Sequence, residues 1–93
     1  MTYLCYYAWG TDGGQQAEAI RRFKEVGGRP PRGVNLVGRW TQADFMGGVV
    51  VLEADDPKAL TEFALTWSDV MSLKIVPALV DADLGEVLAR AGK

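Results

Sequence analysis

The chain has 93 residues, a hydrophobic fraction of 48 % and a formal net charge of −2, which predicts one domain over residues 1–93 and argues against a nucleic-acid partner. No apolar run approaches the roughly 18–20 residues of a membrane span, so we expect no membrane partner either. The sequence has no histidine and one cysteine, which excludes imidazole catalysis, an intramolecular disulfide and most transition-metal sites; we expect no cofactor and no metal, with a carboxylate site for Mg²⁺ or Ca²⁺ left open.

The first predicted elements are a strand and an amphipathic helix. Residues 2–9 are apolar on both faces, which predicts a central strand, and alternation places Tyr3, Cys5, Tyr7 and Trp9 on one of those faces. A turn at 10–14 follows, with Thr11 or Asp12 as the cap of a helix at 15–26. The apolar stripe of this helix consists of Ala19, Ile20, Phe23 and Val26, and Gly27-Gly28 ends it.

A hairpin occupies the middle of the chain, with strands near 34–40 and 47–54 joined by a short loop. The second strand contains the most hydrophobic run of the sequence, at 49–52, and Glu53 is the charge that ends it. Asp55-Asp56-Pro57 then predicts the start of a second helix, because Asp is a favoured cap and Pro a favoured first-turn residue. This helix extends to about Ser68, and its buried stripe comprises Leu60, Phe63, Ala64 and Trp67.

The last two predicted elements are a strand at 71–80 and a short helix at 81–93. Pro77 cannot donate a hydrogen bond to a neighbouring strand, so we expect this strand at an edge of the sheet or with a bulge. Asp81 or Asp83 is expected to cap the terminal helix. The apolar stripe of that helix needs a surface to cover, on its own sheet or on a partner's.

The order of elements predicts an α+β fold of the ferredoxin-like type, βαββαβ with a C-terminal helix. Right-handed crossovers place both connecting helices on one face of a four-stranded antiparallel sheet. The other face would carry aromatic and aliphatic side chains that a monomer cannot leave in water. Two such sheets packed face to face form a dimeric α+β barrel, so we expect a homodimer.

Three stretches of the sequence resemble a known family: GGRPPRGVNLVGRW at 27–40, GGVVVLEADDPKAL at 47–60 and FALTWSDVMSLKIVPALVD at 63–81. They are similar to a family of domains of unknown function that belongs with the dimeric α+β barrels, as do the antibiotic-biosynthesis monooxygenases and the stress-responsive barrel proteins. The resemblance implies a barrel cavity with cofactor-free oxygenase, isomerase, cyclase or plain binding roles. The family's usual motif has a histidine directly after Gly-Arg-Trp; this sequence has Thr41 there, so a role resting on that histidine is lost or taken over by another group.

Arg39 and Glu53 are the candidate catalytic residues. They lie on neighbouring antiparallel strands and share a face if the loop register allows it, and that register is open by one residue. In a mostly apolar place Glu53 would be held as an ion, able to act as a base or to pair with Arg39. The alternative is a structural ion pair or an exposed Glu at the sheet edge.

A second candidate set joins an amide, a guanidinium and an indole. Asn35, Arg39 and Trp40 can hold a planar oxygenated ligand by hydrogen bonds and stacking, although the three cannot all lie on one face of the strand. Trp67, from the second helix, is interpreted as a core residue or as a platform for a ligand.

The aromatic row of the first strand is the third candidate set. Tyr3, Tyr7 and Trp9, with Cys5, are expected on the open sheet face, as the core of a dimer interface or as the lining of a pocket for an aromatic or polyketide-like ligand. Cys5 is a poor nucleophile, because no histidine activates it and an apolar strand raises its pKa.

The sequence therefore predicts a homodimer with a cavity on the sheet face, between sheet and helices. This cavity is expected to bind a small aromatic, polyketide-like or carbonyl-containing molecule and, if the chain is an enzyme, to transform it without a cofactor. Arg39 would orient an anionic or carbonyl oxygen, Glu53 would move a proton, and Trp40 with Tyr7 would form walls. The alternative is a non-catalytic module whose sheet face serves only assembly. With no recognisable signal peptide, we expect a cytoplasmic protein.

Overall fold

The structure is a computed structural model that describes residues 1–9 and 13–93. The predicted cap at Thr11 or Asp12 lies outside the described residues. Seven elements follow one another along the chain: β1 (Thr2–Trp9), α1 (Gly13–Val26), β2 (Val34–Thr41), β3 (Gly47–Ala54), α2 (Pro57–Trp67), β4 (Met71–Ala78) and α3 (Asp81–Arg90).

The four strands form one antiparallel sheet in the order β2-β3-β1-β4. This order, with α1 and α2 as the two crossovers, is the ferredoxin-like fold, extended here by α3. The predicted fold class is confirmed. β1 lies in the middle of the sheet and β4 at its edge, as the two-sided apolar pattern of the first strand and Pro77 in the last strand predicted.

The core lies between the sheet and the helices. Cys5 of β1 and Leu52 of β3 are fully buried there, and they belong to one cluster with Ala19 of α1 and Phe63 of α2. The apolar stripes of α1 and α2 thus cover the same sheet face, as right-handed crossovers require.

Tyr3, Cys5, Tyr7 and Trp9 face the helices, so their predicted place on the open sheet face is wrong. Cys5 and Tyr7 are buried members of the core cluster, and Tyr3 and Trp9 pack against it. Alternation separates the two faces of a strand but does not say which face the helices cover. The face turned away from the helices is the one that also carries Lys74 opposite Tyr6 and Glu53 opposite Thr2, and charged side chains favour that solvent-accessible side.

The two later helices begin differently. Asp56 caps α2, since its side chain accepts a hydrogen bond from the Lys58 amide at 2.9 Å and Pro57 follows at the first position. At α3 the capping residue is Val80, which makes no side-chain cap bond, so the predicted cap at Asp81 or Asp83 is wrong. Both carboxylates lie in the first turn instead, where their negative charge is attracted by the positive end of the helix dipole.

The terminal helix α3 contains no buried residue. The radius of gyration is 15.2 Å and the longest dimension 51 Å, whereas a compact chain of this length has a radius of gyration of about 12 Å. The predicted apolar stripe is present, but Leu84, Val87 and Leu88 all remain exposed.

A charged network ties α1 to the corner between α2 and β4. Arg22 donates to Glu18 at 3.0 Å, to Asp69 Oδ1 at 2.9 Å and to the carbonyl oxygen of Thr66 at 3.2 Å. Arg21 donates to Glu18 as well, at 2.7 Å. Hydrogen bonds from Arg21 and Arg22 lower the pKa of Glu18 from 4.5 to about 2, and Arg22 lowers the pKa of Asp69.

We expect the stability of the fold to decrease as the pH falls from about 4.5 toward 2. A carboxylate with a depressed pKa in the folded state stabilises that state above its unfolded pKa, and the contribution is lost as the carboxylate takes up a proton. Thermal unfolding midpoints between pH 7 and pH 2 measure this. The Arg22→Gln variant should show a shallower decrease than the native chain. Arg32→Gln, at an exposed position between α1 and β2, should show the same decrease as the native chain. Equal slopes in the native chain and Arg22→Gln would contradict the prediction.

Candidate ligand cavity

A cavity of about 350 Å³ lies between α1, α2 and the helix-facing side of the sheet. Volumes of this size are at the lower end for small-molecule sites. Most of its described lining is aliphatic or aromatic and comprises Cys5, Tyr7, Trp9, Ala19, Ile20, Phe23, Lys24, Gly28, Arg39, Thr41, Phe45, Val50, Phe63, Trp67, Met71 and Leu73.

Arg39 supplies the guanidinium of the cavity. It lies on β2 opposite Val50, and its two terminal nitrogens donate to the carbonyl oxygens of Gly28 at 3.3 Å and Gly27 at 3.2 Å, at the end of α1. Its Cζ atom is 4.6 Å from the centroid of the Phe23 ring, a cation–π distance. The guanidinium is therefore fixed by the backbone of the Gly27-Gly28 segment that follows α1 and by an aromatic face.

Tyr7 and Thr41 form the second polar group of the cavity. Their hydroxyl oxygens are 2.9 Å apart, and the Tyr7 hydroxyl also donates to the carbonyl oxygen of Trp40 at 3.4 Å. Tyr7 is on β1 and Thr41 on β2, with Gly48 of β3 paired to both. The phenol thus crosses β3 at a glycine, and a Cβ built on Gly48 would overlap the Tyr7 hydroxyl.

The β2–β3 loop closes one side of the cavity through Phe45. The Trp9 indole donates to the carbonyl oxygen of Phe45 at 2.5 Å, and the two rings are 5.5 Å apart. Trp9 also meets Tyr7 edge-on at 5.7 Å. Phe45 has a φ of 60°, a left-handed conformation that a bulky residue seldom adopts, so these contacts hold a strained loop over the aromatic row.

Of the predicted site residues, the cavity brings together Arg39, Tyr7, Trp9 and Trp67. Trp67 is buried and belongs to the core cluster as well. Tyr3 packs against the core outside the cavity. Trp40 lies on the opposite sheet face, 60 % exposed, with its ring over Gly38.

Glu53 and Asn35 also lie away from the cavity. They pair with each other across β2 and β3, exposed on the opposite sheet face, and both line a separate surface depression with Asp55. The predicted grouping of Asn35 with Arg39 around one ligand is therefore wrong.

Arg39 and Glu53 do not share a sheet face, so the pair that depended on the open register does not form. The cause is a β-bulge between Leu36 and Gly38, which leaves one extra residue in β2. Uninterrupted pairing would place Arg39 opposite Val49, on the side of Glu53. The bulge places it opposite Val50 instead, on the side of the helices.

Cys5 contributes a wall of the cavity, and burial raises the pKa of its thiol to about 11. It is therefore a neutral thiol at physiological pH, which agrees with its predicted lack of nucleophilicity.

Thr41, Phe45 and Lys24 were not singled out as site residues from the sequence. Phe45 stands out in the sequence as an aromatic residue in a polar loop. Thr41 has no such signal, because it faces the cavity only as a result of the bulge in β2. Over residues 1–9 and 13–93, no three His, Cys, Asp or Glu side chains are grouped so as to hold a metal ion. Within the same residues no helix has the length and apolarity to cross a membrane.

Comparison with known proteins identifies the family of this chain. One similar solved structure is an uncharacterized NIPSNAP domain protein from Burkholderia xenovorans, with 14 % sequence identity, a TM-score of 0.47 and coverage of 87 % of this chain and 97 % of that one. No curated protein matches the sequence. The profile described as Domain of unknown function (DUF3303) matches residues 1–92, which confirms the resemblance seen in the sequence: the chain belongs to this family.

Proposed function

We propose that the chain binds a small aromatic, polyketide-like or carbonyl-containing molecule in the cavity between the sheet and the helices. The observation that carries this proposal is an apolar volume of about 350 Å³ that also contains two fixed polar groups, Arg39 and the Tyr7–Thr41 pair. Binding sites for small molecules typically combine an apolar lining with a few oriented polar groups.

The lining favours binding and orientation over proton transfer. No carboxylate is among the described lining residues, and Glu53, the expected base, lies on the other side of the sheet. The Arg39 guanidinium can donate to a ligand oxygen, whereas the one proton of the Tyr7 hydroxyl is already donated to the Trp40 carbonyl oxygen. If the bound molecule is transformed, Arg39 would stabilise charge on that oxygen, and the base would have to be the ligand itself or water.

A solvatochromic aromatic ketone, 6-propionyl-2-(dimethylamino)naphthalene, tests the proposal directly. We expect its emission to shift to the blue and to saturate with the native chain. Leu73→Trp fills the cavity from β4 and should weaken binding about tenfold or more, the effect of losing over ~1.4 kcal/mol of binding free energy. Leu65→Trp, at a position of α2 that is 70 % exposed, is the matched control and should bind as the native chain does. No saturable shift, or equal binding by Leu73→Trp, would contradict the proposal.

We also propose that the chain is a homodimer that covers the open sheet face. That face carries Leu4, Tyr6, Val49 and Val51, with Trp40 at its edge. Tyr6 and Trp40 are 47 % and 60 % exposed in the single chain, and contiguous apolar surface of this kind is typical of an interaction site.

The two proposals concern opposite sides of the sheet and can fail separately. A dimer that binds no ketone would favour the alternative function, a module that serves only assembly. The mass in solution tests the dimer, with twice 10.1 kDa expected.

A further inference from the structure

Among the described residues that line the cavity, the cationic side chains have no acidic counterpart. Lys24 and Arg39 both line it, and among the described lining residues there is no Asp or Glu. We propose that the ligand is a planar aromatic carboxylate whose carboxyl group binds Arg39; this inference rests on the proposed small-molecule function and names its ligand class.

The partners of Arg39 set it apart from the arginines of the helices. Arg21, Arg22 and Arg90 each form an ion pair with a carboxylate. Arg39 donates only to two backbone carbonyl oxygens, at 3.2 and 3.3 Å, within the part of the chain that the structure describes. A guanidinium has five N–H donors in a planar fork, so donors remain for a ligand.

The setting of Arg39 strengthens its attraction for an anion. Its side chain is half-buried and faces an apolar cavity, where charges are less screened than in water. A carboxylate matches the fork with two parallel hydrogen bonds, whereas a ketone or alcohol oxygen offers less charge and no second oxygen. The unpaired cation thus selects the carboxylate among oxygen-bearing ligands.

Gly28 and Phe23 hold the guanidinium in place. Gly28 has a φ of +63°, and a Cβ built on it would lie 2.5 Å from Arg39 Nη1, so the space of the missing side chain is taken by the guanidinium. The Phe23 ring packs against the guanidinium, with its centroid 4.6 Å from Arg39 Cζ. Aromatic side chains elsewhere in the lining, including Phe63 and Trp67, suit a flat ring system on the ligand.

A matched pair of probes tests this inference: 1-naphthoate and 1-naphthalenemethanol, which share the ring and differ in the anionic group. We expect the native chain to bind 1-naphthoate about tenfold or more tightly than the alcohol by calorimetry, as is typical for a hydrogen bond to a charged group. Arg39→Gln should weaken the binding of 1-naphthoate far more than that of the alcohol and so bring the ratio toward one. Arg39→Lys keeps the charge without the fork and should show an intermediate ratio, and Arg32→Gln should keep the native ratio.

The outcomes separate this inference from the proposal beneath it. If the native chain binds neither probe and not the aromatic ketone, the small-molecule function itself is wrong. If the native chain binds the alcohol as tightly as the acid, or if folded Arg39→Gln or Arg39→Lys keeps the full native preference, the cavity is a ligand site but Arg39 does not select an anion.

Discussion

Gly48→Ala should destabilise the fold by about 3 kcal/mol or more, a larger effect than most single methyl groups produce. A Cβ at this position would overlap the backbone oxygen of Trp40 and the Tyr7 hydroxyl. The backbone oxygen cannot move without disturbing the pairing of β2 with β3, where Thr41 lies opposite Gly48. Overpacking that forces such backbone shifts costs about 1–3 kcal/mol by itself, and displacing Tyr7 removes its bond to Thr41 as well.

Urea unfolding followed by circular dichroism measures this effect, and Gly85→Ala is the matched control. Gly85 lies inside α3, and a Cβ there meets nothing within 4 Å. Alanine is favoured over glycine in a helix by about 0.5–1 kcal/mol, so Gly85→Ala should leave the midpoint unchanged or raise it slightly. A midpoint for Gly48→Ala equal to that of the native chain would show that Tyr7 does not cross β3 at this glycine.

The order of the elements could be predicted from the sequence because each has a strong local pattern. The stripe of α2 recurs at Leu60, Phe63 and Trp67, and these three are the buried residues of the helix. Asp56 and Pro57 mark its start by a mechanism that needs no tertiary information. Once the helices and strands were placed, handedness left few topologies to consider.

The candidate site could be predicted only in part, because its placement depends on features that have no local pattern. Arg39 was recognised, but the bulge after Leu36 reverses the face of every later residue in β2. A shift of one residue in register moves a whole set of side chains to the other side of a sheet. This is why Arg39 and Thr41 of β2 face the cavity with Tyr7, on the side of the sheet opposite Glu53.

The aromatic row of β1 shows a second limit of sequence reasoning. Both faces of this strand are apolar, so composition alone did not identify the face beneath the helices. The decision depends on neighbouring strands, since Cys5 lies between Val50 and Ile75 whereas Tyr6 lies between Val49 and Lys74. The side with the lysine is the less apolar one, and it is the side that the helices leave open.

Tyr6→Glu should convert the proposed dimer into a monomer of 10.1 kDa. Tyr6 lies on the central strand of the open face, 47 % exposed, with Lys74 directly opposite on β4. In a monomer the new carboxylate would remain in water beside a lysine, which is a favourable cross-strand pair. In a face-to-face dimer the two-fold symmetry places two carboxylates in the interface, where burying a charge costs free energy and so weakens the dimer.

Light scattering at micromolar concentration distinguishes the two states. Leu65→Glu adds the same charge on α2, at a position 70 % exposed and away from the open face, and should leave the mass at twice 10.1 kDa. A native chain that is already monomeric would mean that the open face is stable in water without a second copy. A Tyr6→Glu protein that remains dimeric would instead place the interface elsewhere, and the exposed stripe of Leu84, Val87 and Leu88 on α3 would be the next surface to test by substitution.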